Sequence, residues 1–268
     1  MAGAMIEVRG VGKHYAQRSG TRSVVLENVN LQVENGEFVS LVGASGCGKT
    51  TLLRMISGLA PYDPGTVHVN GKLVKSVPPR VGFVFQDPAL LPWRTIEQNV
   101  AVGLNEYRRE LSKQEARRRV QEQLELVGLA DHGAYLPRQI SGGMQQRAGL
   151  ARALVGQPDV LLMDEPFGAL DAFTRTRLQE ELAVITRHTS ATTVFVTHDV
   201  DEAVFLSDRV AVMSINPGSI REIVEIDLPR PRVDRRELFS NPAVAETRDH
   251  VLELVIGARA RGPLAPTR

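Results

Sequence analysis

The sequence predicts an α/β fold, a mostly parallel sheet covered by helices on both faces. Three observations predict it. Short, nearly continuous apolar runs recur, as in FVSLVG (38–43), DVLLM (159–163) and TTVFVT (192–197). Helical patterns separate them, and a glycine-rich turn leads from the first run into a helix. The chain has 268 residues, more than the roughly 150 of an average domain, so one large domain or one and a half is expected. At 43% hydrophobic and 24% charged it has ordinary globular composition.

The first thirty-odd residues read as strand, loop and strand. In VVLENVNLQV, Val25, Glu27, Val29, Leu31 and Val33 share one parity, giving an apolar face interrupted by one charge. Asn35-Gly36 marks a turn before FVSLVG. KTTLLRMISGL reads as a helix ended near Gly58 and Pro61, TVHVNGKLV as a hairpin about Asn70-Gly71, and VGFVF (81–85) as a buried strand. From Ser112 the period is helical. Ser112 and Glu115 match a capping box, and Ala116, Val120, Leu124 and Val127 form one stripe before Gly128. A second helix follows Ser141-Gly142-Gly143 as far as Gly156. After DVLLM come a helix over about 172–188, TTVFVT, a short helix, the strand RVAVMSI and a last helix after Asn241-Pro242. GARARGPLAPTR (257–268) reads as a disordered tail. The helix-rich segment of about 94–157 reads as a subdomain inserted into the α/β core.

Several classes are excluded by composition. No stretch without Asp, Glu, Lys or Arg exceeds eleven residues, about half of what a spanning helix needs. The start MAGAMIEVRG lacks a basic segment followed by an apolar one, so no secretory signal is expected. A single cysteine forms no internal disulfide, which fits the cytoplasm. The net charge of +1 provides no field to hold nucleic acid or anionic lipid.

The segment GASGCGKT (43–50) fits G-x-x-x-x-G-K-[ST] and lies between an apolar strand and a helix, where a phosphate-binding loop must lie. Its glycines let successive backbone N–H groups turn toward phosphate oxygens, and the helix start adds partial positive charge. Lys49 is expected to reach the β- and γ-phosphates and the Thr50 hydroxyl to ligate Mg²⁺. DVLLMDEP ends an apolar strand with two carboxylates. Asp164 is placed to hold Mg²⁺, directly or through water, and Glu165 to orient or deprotonate the attacking water; a solvated strand edge is the alternative for that pair. Ser141-Gly142-Gly143 opens a helix with a hydroxyl and N–H groups, a second anion site or an ordinary serine cap. Cys47 lies beside the helix start and Lys49, both of which favour thiolate, so a lowered pKa and a reactive thiol are expected, with a thiol turned into the core as the alternative.

In order and type these motifs resemble the nucleotide-binding subunit of an ATP-binding cassette (ABC) transporter over about residues 5–226. GASGCGKT resembles the Walker A motif, ISGGMQQR (140–147) the ABC signature and VLLMDE (160–165) Walker B with its catalytic Glu165. Gln86 matches the Q-loop glutamine, Ala169-Leu170-Asp171 the D-loop, His198 the switch histidine and Tyr15 the aromatic residue that stacks on adenine. The resemblance implies a P-loop NTPase core with an N-terminal antiparallel β subdomain and the inserted helical subdomain. It implies ATP contacts from Tyr15, Gly43, Ala44, Ser45, Gly46, Cys47, Gly48, Lys49, Thr50, Thr51, Ser141, Gly142, Gly143 and Asp171. Mg²⁺ would be held by Thr50, Gln86 and Asp164, and Glu165, His198, Gln86 and Lys49 would serve catalysis. Two such domains pack head to tail in this family, so Ser141 and Gly143 would face Lys49 of a second copy or of a paralogous ATPase subunit, with Asp171 linking the two sites. Residues 227–256 would form a helical extension.

Arg117, Arg118 and Arg119 read as a solvated face, as do Arg230, Arg232, Arg235 and Arg236, which have a smaller chance of touching partners or lipid headgroups. Repair and translation ATPases of the family carry coiled-coil insertions or a second cassette, and exporter cassettes are often fused to spanning helices; this sequence shows none of these. Separate-subunit exporters exist, however, and a soluble ABC ATPase of DNA repair or translation, or the ATPase subunit of an exporter, is the alternative. Leu90, Leu91, Pro92 and Trp93 follow Gln86 on a predicted surface loop where the family receives its membrane partner, with core packing as the alternative. LLPWRTIEQNV and IREIVEIDLPRPR are similar to segments of the nitrate, sulfonate and taurine importer subfamily. An importer for a small oxyanion or related nutrient is therefore expected, peripheral at the cytoplasmic face of the membrane. It would work with two permease subunits and, indirectly, a substrate-binding protein.

Overall fold

β-branched residues in alternation build the antiparallel entry to the fold. Strand β1 (Ile6–Ala16) pairs with β2 (Arg22–Val33) and, on its other side, with β4 (Thr66–Val69), which turns into β5 (Lys72–Leu73). The order is β2-β1-β4-β5, all antiparallel. Asn70 and Gly71, at φ 49° and 69°, supply the two left-handed residues of the β4–β5 turn. The structure, a computed structural model, describes residues 4–16, 22–107, 111–228, 232 and 235–260. It forms two compact units, Met1–Pro78 with Val194–Arg268, and Pro79–Thr193.

The strict parity expected along β2 does not hold. Asn28 adopts φ 47°, and the β1–β2 register shifts between Val11/Val29 and Lys13/Leu26. This bulge turns Leu26 into the core and leaves Glu27 exposed, so no charge interrupts the buried face.

In the first unit β3 (Phe38–Gly43), wholly buried, runs parallel to β9 (Arg209–Met213), with Leu41 opposite Ala211. β8 (Thr192–Val196) enters this unit at Val194 and borders β3, and the antiparallel β10 (Ile220–Glu225) borders β9. The sequence pattern does not predict β10, whose residues are half-buried or exposed. Helix α1 (Lys49–Ile56) follows β3, and α6 (Val200–Leu206) follows β8. The tail forms α7 (Arg235–Ser240) and α8 (Pro242–Ala260). α8 starts with proline at its first position, behind Asn241, whose side chain accepts from Ala243 N at 3.0 Å. Val244, Val251, Leu254 and Val255 of α8 share one apolar cluster with Val42 of β3, Val204 of α6 and Val212 of β9. The helix runs through Ala260, so Gly257–Ala260 are helical rather than tail.

In the second unit β6 (Val81–Val84) runs parallel to β7 (Val160–Asp164), Val84 opposite Met163. β7 is buried throughout, but Val81 and Phe83 of β6 are only half-buried, because β6 ends its sheet. Between them lie α2 (Ile96–Ala101), α3 (Lys113–Leu126) and α4 (Gly142–Leu154) with short 3₁₀ turns, and α5 (Ala172–Thr189) follows β7. Ser112 caps α3 through Glu115 N (3.1 Å). The Glu115 carboxylate is engaged by Arg118 and Arg119, which hold its pKa down to about 2. Arg117 and Arg118 are exposed, as a solvated face requires. The stripe of Val120, Leu124 and Val127 is buried. Among the described residues no helix is long and apolar enough to cross a membrane.

Arg232 contradicts its reading as a solvated residue. It is 4% exposed, and its guanidinium donates to the carbonyls of Val204 (2.6 Å), Phe205 (3.2 Å), Ser207 (2.8 Å), Ile226 (3.3 Å) and Leu228 (3.2 Å). These carbonyls at the end of α6 and beyond β10 converge on one planar fork that lysine cannot reproduce. Arg235 lies half-buried, 3.6 Å from Asp201; Arg230 and the Arg236 side chain lie outside the described residues. Arg232→Leu is expected to lower unfolding stability by about 2–4 kcal/mol, since buried acceptors lose their donor. Urea denaturation checks this, and a loss below about 0.5 kcal/mol would contradict the clamp.

Candidate functional site

The phosphate loop leaves the carboxyl end of β3 and enters α1 through Gly48, whose φ of 98° is left-handed. Gly46 is left-handed too, at φ 83°, with nothing within 4 Å of where a Cβ would stand. Behind the loop there is no such space. A Cβ on Gly43 would stand 2.9 Å from Cys47 Sγ and from the Met213 carbonyl, and one on Gly48 2.4 Å from Leu26. Lys49 is 5% exposed, and its ammonium donates to the Gly43 (2.8 Å) and Ala44 (3.3 Å) carbonyls. Ser45 and Gly46 are exposed at the tip, and Thr50 and Thr51 are half-buried in the first turn of α1.

At the same end of the neighbouring strand, Thr197 N bonds to the Leu41 carbonyl (3.2 Å) and the next residue is His198, exposed. Asp199 caps α6, accepting from Asp201 N (2.8 Å) and Glu202 N (3.2 Å). Loop and histidine thus both stand where strands of an open α/β sheet end, the usual position of its ligands.

The second unit carries Gln86, Ser141, Gly142, Gly143, Asp164, Glu165 and Asp171. Asp164 ends β7 buried, and Glu165 follows half-buried with φ 43°, a left-handed conformation that costs a side-chain-bearing residue about 1–2 kcal/mol. Gly168 N closes the turn on the Glu165 carbonyl (3.1 Å). Gln86 is exposed two residues beyond β6. A Cβ on Gly168 would lie 3.5 Å from Gln86 Nε2 and 3.7 Å from Glu165 Oε2, so these two side chains flank one glycine. Ser141 caps α4, accepting from Met144 N (3.3 Å); Asp171 caps α5, accepting from Phe173 N and Thr174 N, each at 3.1 Å. The Thr174 amide and hydroxyl hold the Asp171 carboxyl below the usual range. The two helix starts adjoin, since a Cβ on Gly143 would stand 2.7 Å from Thr174 Cγ2. Ser141 and Gly142 are exposed there.

The family described as "ABC transporter" matches residues 26–168. The aliphatic sulfonates import ATP-binding protein SsuB of Bacillus cereus is 45% identical over 235 residues, 87% of this chain and 91% of that protein. The chain belongs to the ABC transporter family. The bicarbonate transport ATP-binding protein CmpC of Synechocystis sp. is 44% identical over 248 residues, 92% of this chain but 37% of that protein. Among solved structures, the dimeric post-hydrolysis state of the ATP-binding cassette MJ0796 bound to ADP and Pi matches with a TM-score of 0.74 and 32% identity. It covers 84% of this chain and 100% of that one.

The geometry of this ABC cassette corrects one expectation, that of a reactive Cys47. Cys47 is 1% exposed, and burial pushes its thiol up although Lys49 Nζ lies 3.9 Å away. The expected low-pKa, reactive thiol is therefore corrected: loss of hydration outweighs the nearby positive charge. Tyr15 lies in β1 opposite Ser23, but its side chain is outside the described residues. Sequence reasoning missed Thr197, Asp199 and Glu202, although the D-x-x-E spacing after Thr197 signals a helix start. Maleimide is expected to label native Cys47 slowly at pH 7, and quickly once urea unfolds the chain. Fast native labelling that ATP suppresses would restore the reactive-thiol reading.

Proposed function

We propose that this chain is the ATP-hydrolysing subunit of an importer for a small oxyanion or related nutrient, of nitrate, sulfonate or taurine type. The observation that carries the reading is the phosphate loop with buried Lys49, in a chain that shares 45% identity with a sulfonates import ATP-binding protein. The relatives named above are described as an import and a transport protein, not as repair or translation factors.

On this reading Gly43 to Thr51 hold the phosphates of ATP, the Lys49 ammonium exchanging loop carbonyls for β- and γ-oxygens, and Tyr15 stacks on the base. The oxygen donors Thr50, Gln86 and Asp164 suit a hard cation that keeps its waters and phosphate ligands. Bound Mg²⁺ would neutralise charge on the transferred phosphoryl group. Glu165 takes the proton of the attacking water, and its left-handed backbone fixes the carboxylate beside Gly168. His198 assists at the γ-phosphate. Ser141, Gly142 and Gly143 cap the nucleotide of a second copy, and Asp171 links the two sites.

The loop after Gln86 favours a membrane partner. Trp93 is 73% exposed and Pro92 is exposed, while Leu90 and Leu91 are half-buried. Core packing does not account for Trp93, and an exposed tryptophan is a strong anchor for a docking element. Two permease subunits would bind here from the cytoplasmic face of the membrane, and a substrate-binding protein would act through them.

Glu165→Gln is expected to bind ATP, lower kcat by about 10²- to 10⁴-fold and elute as a dimer with ATP in size-exclusion chromatography. Near-normal turnover would remove Glu165 from its role. Lys49→Ala should instead weaken nucleotide binding, read by calorimetry. Trp93→Ala should reduce co-purification with permease subunits while leaving the isolated subunit's hydrolysis within about twofold; unaltered assembly would send the permease elsewhere.

A further inference from the structure

The turn that carries His198 is held by a chain of hydrogen bonds. Thr197 Oγ1 accepts from Asp199 N at 3.0 Å, so its own proton is free to go to the Glu202 carboxylate, whose Oε2 is in hydrogen-bond contact with it. Thr197 is 1% exposed and Glu202 5%. The Thr197 amide is engaged by the Leu41 carbonyl, two residues before the phosphate loop begins. Asp199 in turn accepts from the amides of Asp201 and Glu202, which closes the ring back onto the helix that supplies the carboxylate. Both backbone neighbours of His198 are therefore immobilised, one on β3 and one on the first turn of α6.

A buried carboxylate is costly unless its hydrogen bonds demand it, and here it holds a hydroxyl at the foot of an exposed histidine. We propose that Thr197 and Glu202 are positioning residues for His198. They set the backbone of the turn so that the imidazole stands at a fixed distance from the end of β3. The proposal rests on the reading of His198 as a catalytic residue and adds the means by which it is aimed. Misplacing a reacting group by about 1 Å costs up to about a hundredfold in rate. Losing the Thr197 hydroxyl should therefore appear in the chemical step and not in ATP affinity.

Thr197→Val keeps the volume and removes both hydrogen bonds; Thr197→Ser keeps both. Single-turnover hydrolysis, with enzyme in excess over ATP so that slow variants are read, should fall about ten- to hundredfold in T197V, with the Kd for ATP changed less than about twofold. T197S should remain near wild type. In a His198→Ala background T197V should have no further effect, because the group it aims is gone. Independently of activity, the Asp199 amide should exchange with solvent at least about tenfold faster in T197V and at the wild-type rate in T197S. Glu202→Gln, which keeps shape and one acceptor oxygen, reads the same chain if T197V is too unstable to purify. It should lower the rate about threefold, again only when His198 is present.

T197V hydrolysing at the wild-type rate, or losing the same factor with and without His198, would overturn the proposal. Normal hydrolysis by His198→Ala alone would overturn instead the catalytic reading of His198 on which it rests.

Discussion

The turn from β3 into α1 admits one arrangement of its backbone, and much of the first unit is arranged to permit it. Gly43 and Gly48 back onto the Met213 carbonyl and Leu26 with no room for a Cβ. A Cβ on Gly218 would stand 2.0 Å from the Cys47 carbonyl. The Asn28 bulge that turns Leu26 inward and the strand pairing of β3 with β9 thus supply the wall on which the loop rests. Against that wall the Lys49 ammonium is buried yet satisfied by carbonyls of its own loop. On the proposed reading, phosphate oxygens would replace those carbonyls when nucleotide binds.

The C-terminal residues serve the same unit. α8 fills a core cluster with β3 and β9, and Arg232 gathers carbonyls from the end of α6 and beyond β10. Arg248 of α8 holds Asp201 of α6 at 2.7 Å. The helix that follows the His198 turn is therefore itself held in place by α8 and by Arg232. In the second unit, Gln146 of α4 donates to the carbonyl of Phe85, and Arg152 to that of Ala89 (2.9 Å). The loop bearing Gln86 is thus attached to the helix that Ser141 caps.

Much of this was legible in the sequence where local chemistry decides. Continuous apolar runs gave β3, β7 and β8; Asn70-Gly71 gave the hairpin; Ser112, Ser141 and Asn241-Pro242 marked helix starts. Residues 43–50 announced their turn because few sequences other than a phosphate loop place three glycines and a Lys-Thr pair so. What stayed hidden depends on tertiary contacts. The bulge at Asn28 reverses the parity of β2 without a local signal. β10 has half-buried and exposed residues only, since it lies at a sheet edge, and offers no clear apolar run. Arg232 looks like its neighbouring arginines until the carbonyls around it are seen. The charge next to Cys47 was visible in the sequence, but the burial that outweighs it was not.

On the proposed reading, each ATP site is completed by a second copy of this chain, Lys49 from one and Ser141 from the other. Mixing two inactive variants, Lys49→Ala and Ser141→Arg, tests it most directly. In a head-to-tail dimer the mixed pair carries both defects in one site and none in the other. Since half of randomly formed dimers are mixed and each has one of its two sites intact, the mixture should recover roughly a quarter of the wild-type ATPase rate. A mixture as inactive as its components, with mixed dimers shown to form, would contradict the account.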